Sequence, residues 1–211
     1  VTPMPVSYRP RKHSRRRALT AEPAHPRQPV LRPLATAISA LLLGGALQAQ
    51  AQSFPPMLQL ADLDGTNGFM LDGEAEGDYS GISVSAAGDI NGDGVDDVIV
   101  GSYAYINGFA SGRSYVVFGK TIGFSSPLAL SSLDGTNGFK LDGEAFLDFS
   151  GGSVSAAGDI NDDGIDDLII GASSADPNGS SSGRSYVVFG KTTGFSSPLA
   201  LSSLDGSNGF M

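Results

Sequence analysis

The chain has 211 residues, no cysteine and a formal net charge of −9, but the charge is not spread evenly. Residues 1–51 hold eight of the thirteen basic residues and one acid, Glu22, whereas residues 52–211 hold five basic and twenty-one acidic residues, a formal charge of 5 − 21 = −16. This composition excludes a disulfide scaffold and argues against a nucleic-acid partner, because phosphates attract basic surfaces.

The first 51 residues read as an export signal with a long basic leader. A Pro-broken stretch containing Arg15-Arg16-Arg17 leads into the apolar run "LATAISALLLGGAL" at residues 34–47, followed by the small-residue pattern Ala49-Gln50-Ala51. The run is shorter than the ~20 apolar residues that cross a bilayer, so no transmembrane anchor is expected. Cleavage is predicted after Ala51, giving a mature N-terminus at Gln52 and a secreted or cell-surface location. The three arginines give a weak hint of a twin-arginine signal, since they lie far from the apolar run, and the sequence does not decide between Sec and twin-arginine export.

From residue 62 onward the chain repeats itself. "LDGTNGF" at Leu63 returns at Leu133 and, as "LDGSNGF", at Leu204; "SVSAAGDIN" at Ser83 returns at Ser153; "GRSYVVFGK" at Gly112 returns at Gly183. A period of this size marks an array of supersecondary units. Within each unit the pattern is β: "SVSAAGDI" and "DDVIVGS" are short and bounded by Gly and Asp, and "RSYVVFG" alternates before an apolar core. "GFMLDG" and "GFKLDG" supply a fourth short strand after the turn pairs Asn67-Gly68 and Asn137-Gly138. Four strands per unit predict all-β propeller blades. The expected layout is residues 52–77 as an N-terminal strand able to close a ring, 78–147 as blade 1 and 148–211 as blade 2. Because the chain stops inside "LDGSNGFM", a fragment of a longer propeller is expected, with further blades of the same polypeptide.

Between the first two strands of each unit stand "GDINGDGVDD" and "GDINDDGIDD", with four and five carboxylates in ten residues. Numbered from Asp89, side-chain oxygens fall at positions 1, 3, 5 and 9: Asp89, Asn91, Asp93 and Asp97, and in the second copy Asp159, Asn161, Asp163 and Asp167. Position 6 is Gly94 or Gly164, where a loop around an ion turns sharply. Position 7, Val95 or Ile165, offers a backbone carbonyl. Five oxygen donors suit calcium; zinc and copper would want His or Cys, and residues 52–211 contain neither. A solvated Asp/Gly turn is the bland alternative, and two copies at matched positions of matched repeats favour ligands. An EF-hand is excluded, because position 12 is Val100 or Ile170 and both flanks are strands. Asp96 and Asp166, at position 8, are expected to be solvated loop charges.

"SGISVSAAGDINGDGVDDVIVGS" and "SGGSVSAAGDINDDGIDDLIIGA" resemble the FG-GAP repeat of integrin α-subunit propellers and of many secreted bacterial proteins. The Phe-Gly of that repeat is replaced by Ser80-Gly81 and Ser150-Gly151, with aromatics one place earlier at Tyr79 and Phe149. Its Gly-Ala-Pro is Gly101-Ser102-Tyr103 and Gly171-Ala172-Ser173. The resemblance implies a seven-bladed propeller with calcium in the first hairpin loop of a blade. It also implies extracellular binding or adhesion toward an unidentified protein or glycan.

Both histidines, His13 and His25, lie in the leader, so residues 52–211 cannot build a Ser-His-Asp or Cys-His site. No enzymatic role is expected of this chain; the alternative is an accessory propeller of a larger secreted hydrolase of phospholipase type. The Ser-rich stretches "GFSSPLALSS" and "NGSSSG" read as loops. Asn178-Gly179-Ser180 matches a glycosylation sequon of low specificity. Tyr115, Phe118, Tyr186 and Phe189 are expected to pack in or between blades.

Overall fold

A computed structural model describes residues 57–103 and 110–211; the export signal and its cleavage position after Ala51 lie outside the described residues. The described chain is all-β, with three single-turn 3-10 segments and no α-helix.

Two antiparallel sheets repeat one plan. In the first, β2 (Ser83–Gly88), β3 (Asp97–Ser102), β4 (Arg113–Val117) and β6 (Gly138–Asp142) lie side by side in that order. In the second, β7 (Ser153–Gly158), β8 (Asp167–Ala172), β9 (Arg184–Val188) and β11 (Gly209–Phe210) do the same. Each set of four antiparallel strands is a propeller blade, with the acidic decapeptide as its first hairpin loop. The registers match residue for residue: Val100 faces Tyr115 across β3 and β4, and Ile170 faces Tyr186 across β8 and β9.

Strand alternation puts successive side chains on opposite faces of a sheet, and here both faces are apolar because each is met by another layer. Ile99, Val116, Phe139 and Leu141 point from the first blade toward the second, where they join Leu168, Ile170, Tyr186 and Val188 in one core. The opposite face of the first blade gathers Val100, Tyr115 and Val117 against Leu128, Leu130 and Leu133, with Leu71 and Phe124 packed alongside.

The Ser-rich linker is not a plain loop. Leu128–Ala129 forms β5, which pairs in parallel with β1 (Leu71–Asp72), and Leu199–Ala200 forms β10, which pairs in parallel with β6. A 3-10 turn follows each, and the leucines of "SPLALSSL" are buried. The Ser126 hydroxyl donates to the Leu63 carbonyl at 2.7 Å, and Ser197 donates to Leu133 at 2.8 Å. Serine content hid a leucine pattern whose partners lie about one repeat away. "NGSSSG", in contrast, is turn and irregular chain.

Candidate metal-binding loops

The hairpin loop of each blade is shaped by a slip in its ladder. Pairing shifts between Ala86 and Gly88, so that Gly88 comes opposite Asp97, and the same shift sets Gly158 opposite Asp167. Such a bulge bends the strand and re-aims its side chains. Position 9 of the loop is thereby brought to the mouth of the hairpin, beside position 1.

Within the first loop, Asp89 accepts the amide of Asp93 at 2.9 Å and that of Gly94 at 2.8 Å, one on each carboxylate oxygen. Asn91 Oδ1 accepts the same Asp93 amide at 2.9 Å, and Asp93 accepts the Val95 amide at 2.9 Å. The second loop repeats this with Asp159 on Asp163 and Gly164, Asn161 on Asp163, and Asp163 on Ile165. There the Asn161 side-chain amide also donates to Asp163 at 2.8 Å. Gly94 and Gly164 both take φ +89°, the left-handed turn expected at position 6. Position 4 is left-handed too, as Gly92 in one loop and Asp162 in the other.

Asp97 and Asp167 differ from the other acids of their loops because they are buried. Asp97 accepts the Ile90 amide at 3.1 Å and the Gly119 amide at 2.7 Å, tying the hairpin to the exit of β4. Asp167 does the same for Ile160 at 3.0 Å and Gly190 at 2.9 Å. Burial raises the Asp97 carboxyl from 3.8 to about 6; the two amides oppose the rise, and the charges of Asp93 and Asp89 add to it. A carboxylate desolvated beside two others is the electrostatic problem a cation relieves.

Shared loop amides link positions 1, 3 and 5 of each loop, while position 9 is held at the hairpin mouth by the amides of Ile90 and Gly119 or of Ile160 and Gly190. The carboxylates face loop amides, and among the described residues no group of three or more His, Cys, Asp or Glu side chains stands gathered at metal-ligand spacing. The donor chemistry fits a hard divalent cation: oxygen only, with an acceptor lone pair left on each carboxylate oxygen after its amide bond. Val95 and Ile165 enter through their amides, and the part of their carbonyls rests on position alone.

Three features escape the sequence. Asp166 is not a plain solvated charge: it is half-buried and accepts the Asp89 amide of the neighbouring blade at 3.0 Å. Its counterpart Asp96 is exposed. Glu74, ahead of the first blade, receives Arg113, Lys140 at 2.6 Å and the Tyr115 hydroxyl at 3.1 Å; Glu144 likewise receives Arg184 and the Tyr186 hydroxyl at 2.9 Å. Burial would raise the Glu74 carboxyl, yet the hydrogen bonds from Lys140 and Arg113 outweigh it and hold the group below the usual range. Burial beside Glu144 pushes the Tyr186 hydroxyl up to about 12. The only signal was the return of "DGEA" and "GRSY" one repeat apart. The third feature is a seam cavity lined by Lys120 and Lys191.

Comparison with known proteins agrees with this architecture. The model of the FG-GAP repeat matches residues 80–117 and 150–188. The chain is 32% identical to integrin alpha-IIb of Mus musculus over 126 residues, which is 60% of this chain and 12% of that protein. Integrin alpha-PS5 of Drosophila melanogaster is 36% identical over 102 residues, 47% of this chain and 9% of that one. Phosphatidylinositol-glycan-specific phospholipase D of Mus musculus is 32% identical over 115 residues, 53% of this chain and 13% of that one. The match thus spans a small part of each of these relatives.

Proposed function

The chain is an FG-GAP repeat protein similar to integrin α-subunits, and from that premise we propose a calcium-stabilised, non-catalytic binding module of adhesion type, working outside the cell. The observation that carries this reading is the duplicated loop, with the same donors, hydrogen bonds and buried position-9 carboxylate in both blades. Asp89, Asn91, Asp93, Asp97 and the Val95 carbonyl would hold one ion, and Asp159, Asn161, Asp163, Asp167 and the Ile165 carbonyl another. Bound calcium would offset most of the charge of the three ligand carboxylates and lock the hairpin; it would take no part in a reaction.

Export through the leader, with the mature chain starting at Gln52, belongs to the same proposal. So does continuation into further blades of a closed, seven-bladed ring, supported by the apolar outer face of the second blade, where Ile160, Ile169 and Phe210 are exposed. No helix of the described residues is long and apolar enough to cross a membrane.

The test is thermal unfolding of the full chain with calcium, with magnesium and with chelator. An ion bound by the native state alone stabilises by mass action, so calcium should raise Tm and magnesium should substitute poorly. Identical transitions under all three conditions would refute the calcium assignment. The similarity to phosphatidylinositol-glycan-specific phospholipase D favours a second reading, an accessory propeller of a larger secreted hydrolase. Sequencing the complete reading frame separates the two: a catalytic domain on the same polypeptide supports the hydrolase, and additional repeats alone support adhesion.

A further inference from the structure

Residues 52–211 hold five basic side chains among twenty-one acids: Arg113, Lys120, Lys140, Arg184 and Lys191. Three of them are neutralised. Arg113 pairs with Glu74 and with Asp142, Lys140 with Glu74, and Arg184 with Glu144. Lys120 and Lys191 form no ion pair among the described residues, although acids outnumber bases fourfold in this segment. Both line one cavity of about 440 Å³ in the seam between the blades.

Each ammonium is held in place by an aromatic face. Lys120 Nζ sits 4.5 Å from the Phe124 ring centre, and Lys191 Nζ sits 4.9 Å from that of Phe195. Neither ring is loose: Phe124 stacks on Phe69 at 3.9 Å and Phe195 on Phe139 at 4.0 Å. The Lys191 amide donates to the Ile90 carbonyl at 3.0 Å, fixing the second lysine to the first blade. The remaining lining combines the half-buried ring of Phe118 with the hydroxyls of Ser125 and Thr192, which make no hydrogen bond to the described residues. Asp93 closes one edge and keeps the net charge of the lining low.

From this arrangement we propose that the seam between the blades binds an acidic saccharide, its anionic group between Lys120 and Lys191 and its hydroxyls on Ser125 and Thr192. The cavity volume lies within the ~300–1,000 Å³ of small-ligand sites. Two unpaired cations in an acidic protein select an anion, and the half-buried Phe118 ring with the hydroxyls of Ser125 and Thr192 suits a sugar ring better than a peptide backbone. The proposal rests on the reading of the chain as a binding module, but it does not require calcium in the loops.

Calorimetric titration of the full chain with an oligogalacturonate, its methyl-esterified neutral counterpart, a sulfated oligosaccharide and an acidic peptide tests it. The oligogalacturonate should bind about tenfold or more tighter than the ester, and increasingly weakly as salt rises. Tighter binding of the sulfated sugar would keep the acidic-saccharide class and assign the anion as sulfate. K120M/K191M, which keeps the aliphatic stems, should bring acidic and neutral sugars to within about twofold of each other. Reductive methylation should be slowed at Lys120 and Lys191, and not at Lys140, by saturating saccharide, a readout that needs no variant. Equal binding of the charged and neutral sugars, no binding of any sugar, or lysine-dependent binding of the acidic peptide alone would overturn the proposal. Failure of calcium to shift Tm would leave it standing.

Discussion

The two blades have nearly the same sequence and different surroundings, and the difference shows what a blade owes to its neighbour. Ile90, Ile99 and Phe139 of the first blade are fully buried, whereas their counterparts Ile160, Ile169 and Phe210 are 48%, 38% and 46% exposed. The residues are equivalent, so strand propensity cannot account for the contrast. The second blade covers this face of the first, and among the described residues nothing covers the same face of the second. Burial here belongs to the stack rather than to the strand, as expected of repeat architectures in which each unit completes the core of the next.

The comparison should break most visibly at the phenylalanines. Phe139→Ala removes a ring stacked on Phe195 inside the shared core and should cost about 3–5 kcal/mol in denaturant unfolding. Phe210→Ala should cost less than about 1 kcal/mol. Equal losses would show that the second blade is covered in solution, by another copy or otherwise.

The ion pairs sharpen the same contrast. Arg113 is held between Glu74 and Asp142 with side chains 13–24% exposed, so Arg113→Met takes the ion pair from Asp142, leaves Glu74 with Lys140 and should cost about 3 kcal/mol. Among the described residues Arg184 has one acidic partner, Glu144, and Arg184→Met should cost clearly less. The Glu74 carboxyl is depressed in the folded chain. Its contribution is therefore present above the unfolded pKa of about 4.3 and lost as pH falls through the lower folded value. Arg113→Met should flatten this acid limb of the stability curve, and an unchanged limb would count against the pair.

Much of this was legible in the sequence. Strand positions followed from β-branched runs between Gly and Asp, and the loops from acid spacing, because those signals are local. The leucines of "SPLALSSL" were missed because serines dilute their pattern and because their partners, such as Leu71 for Leu128, sit 57 positions away. Asp166 was misread for the same reason: its hydrogen bond spans 77 residues and exists only when two blades stack. Its twin Asp96, with the same local sequence, is exposed, so no local rule separates the two.

Smaller effects probe the loops themselves. The raised Asp97 carboxyl is favoured in its protonated form by folding, so without calcium its contribution is complete below about 4 and lost as pH rises through about 6. Calcium requires the carboxylate, so the apparent affinity of the first loop should weaken about tenfold between pH 7 and pH 5. Calcium titrations across that range on D163A, in which only the first loop is intact, check this; a flat profile would place Asp97 outside the ligand set. At the smallest scale, Gly88 and Gly158 both have φ near +68°, but a Cβ on Gly88 would meet the Asp166 carboxylate at 2.2 Å while one on Gly158 meets open space. Both alanine variants should lose stability from backbone strain, and Gly88→Ala should lose about 1 kcal/mol more, since the Asp166 bond to Asp89 must give way. Equal losses would mean that this contact between the blades contributes little.

The central claim is that each duplicated loop holds one calcium ion, and counting bound ions tests it most directly. Equilibrium dialysis of the full chain against calcium at neutral pH should give two ions per chain, one for D93A, one for D163A and none for the double variant. A stoichiometry unchanged by these substitutions, or an absence of bound calcium in the unaltered chain, would contradict it.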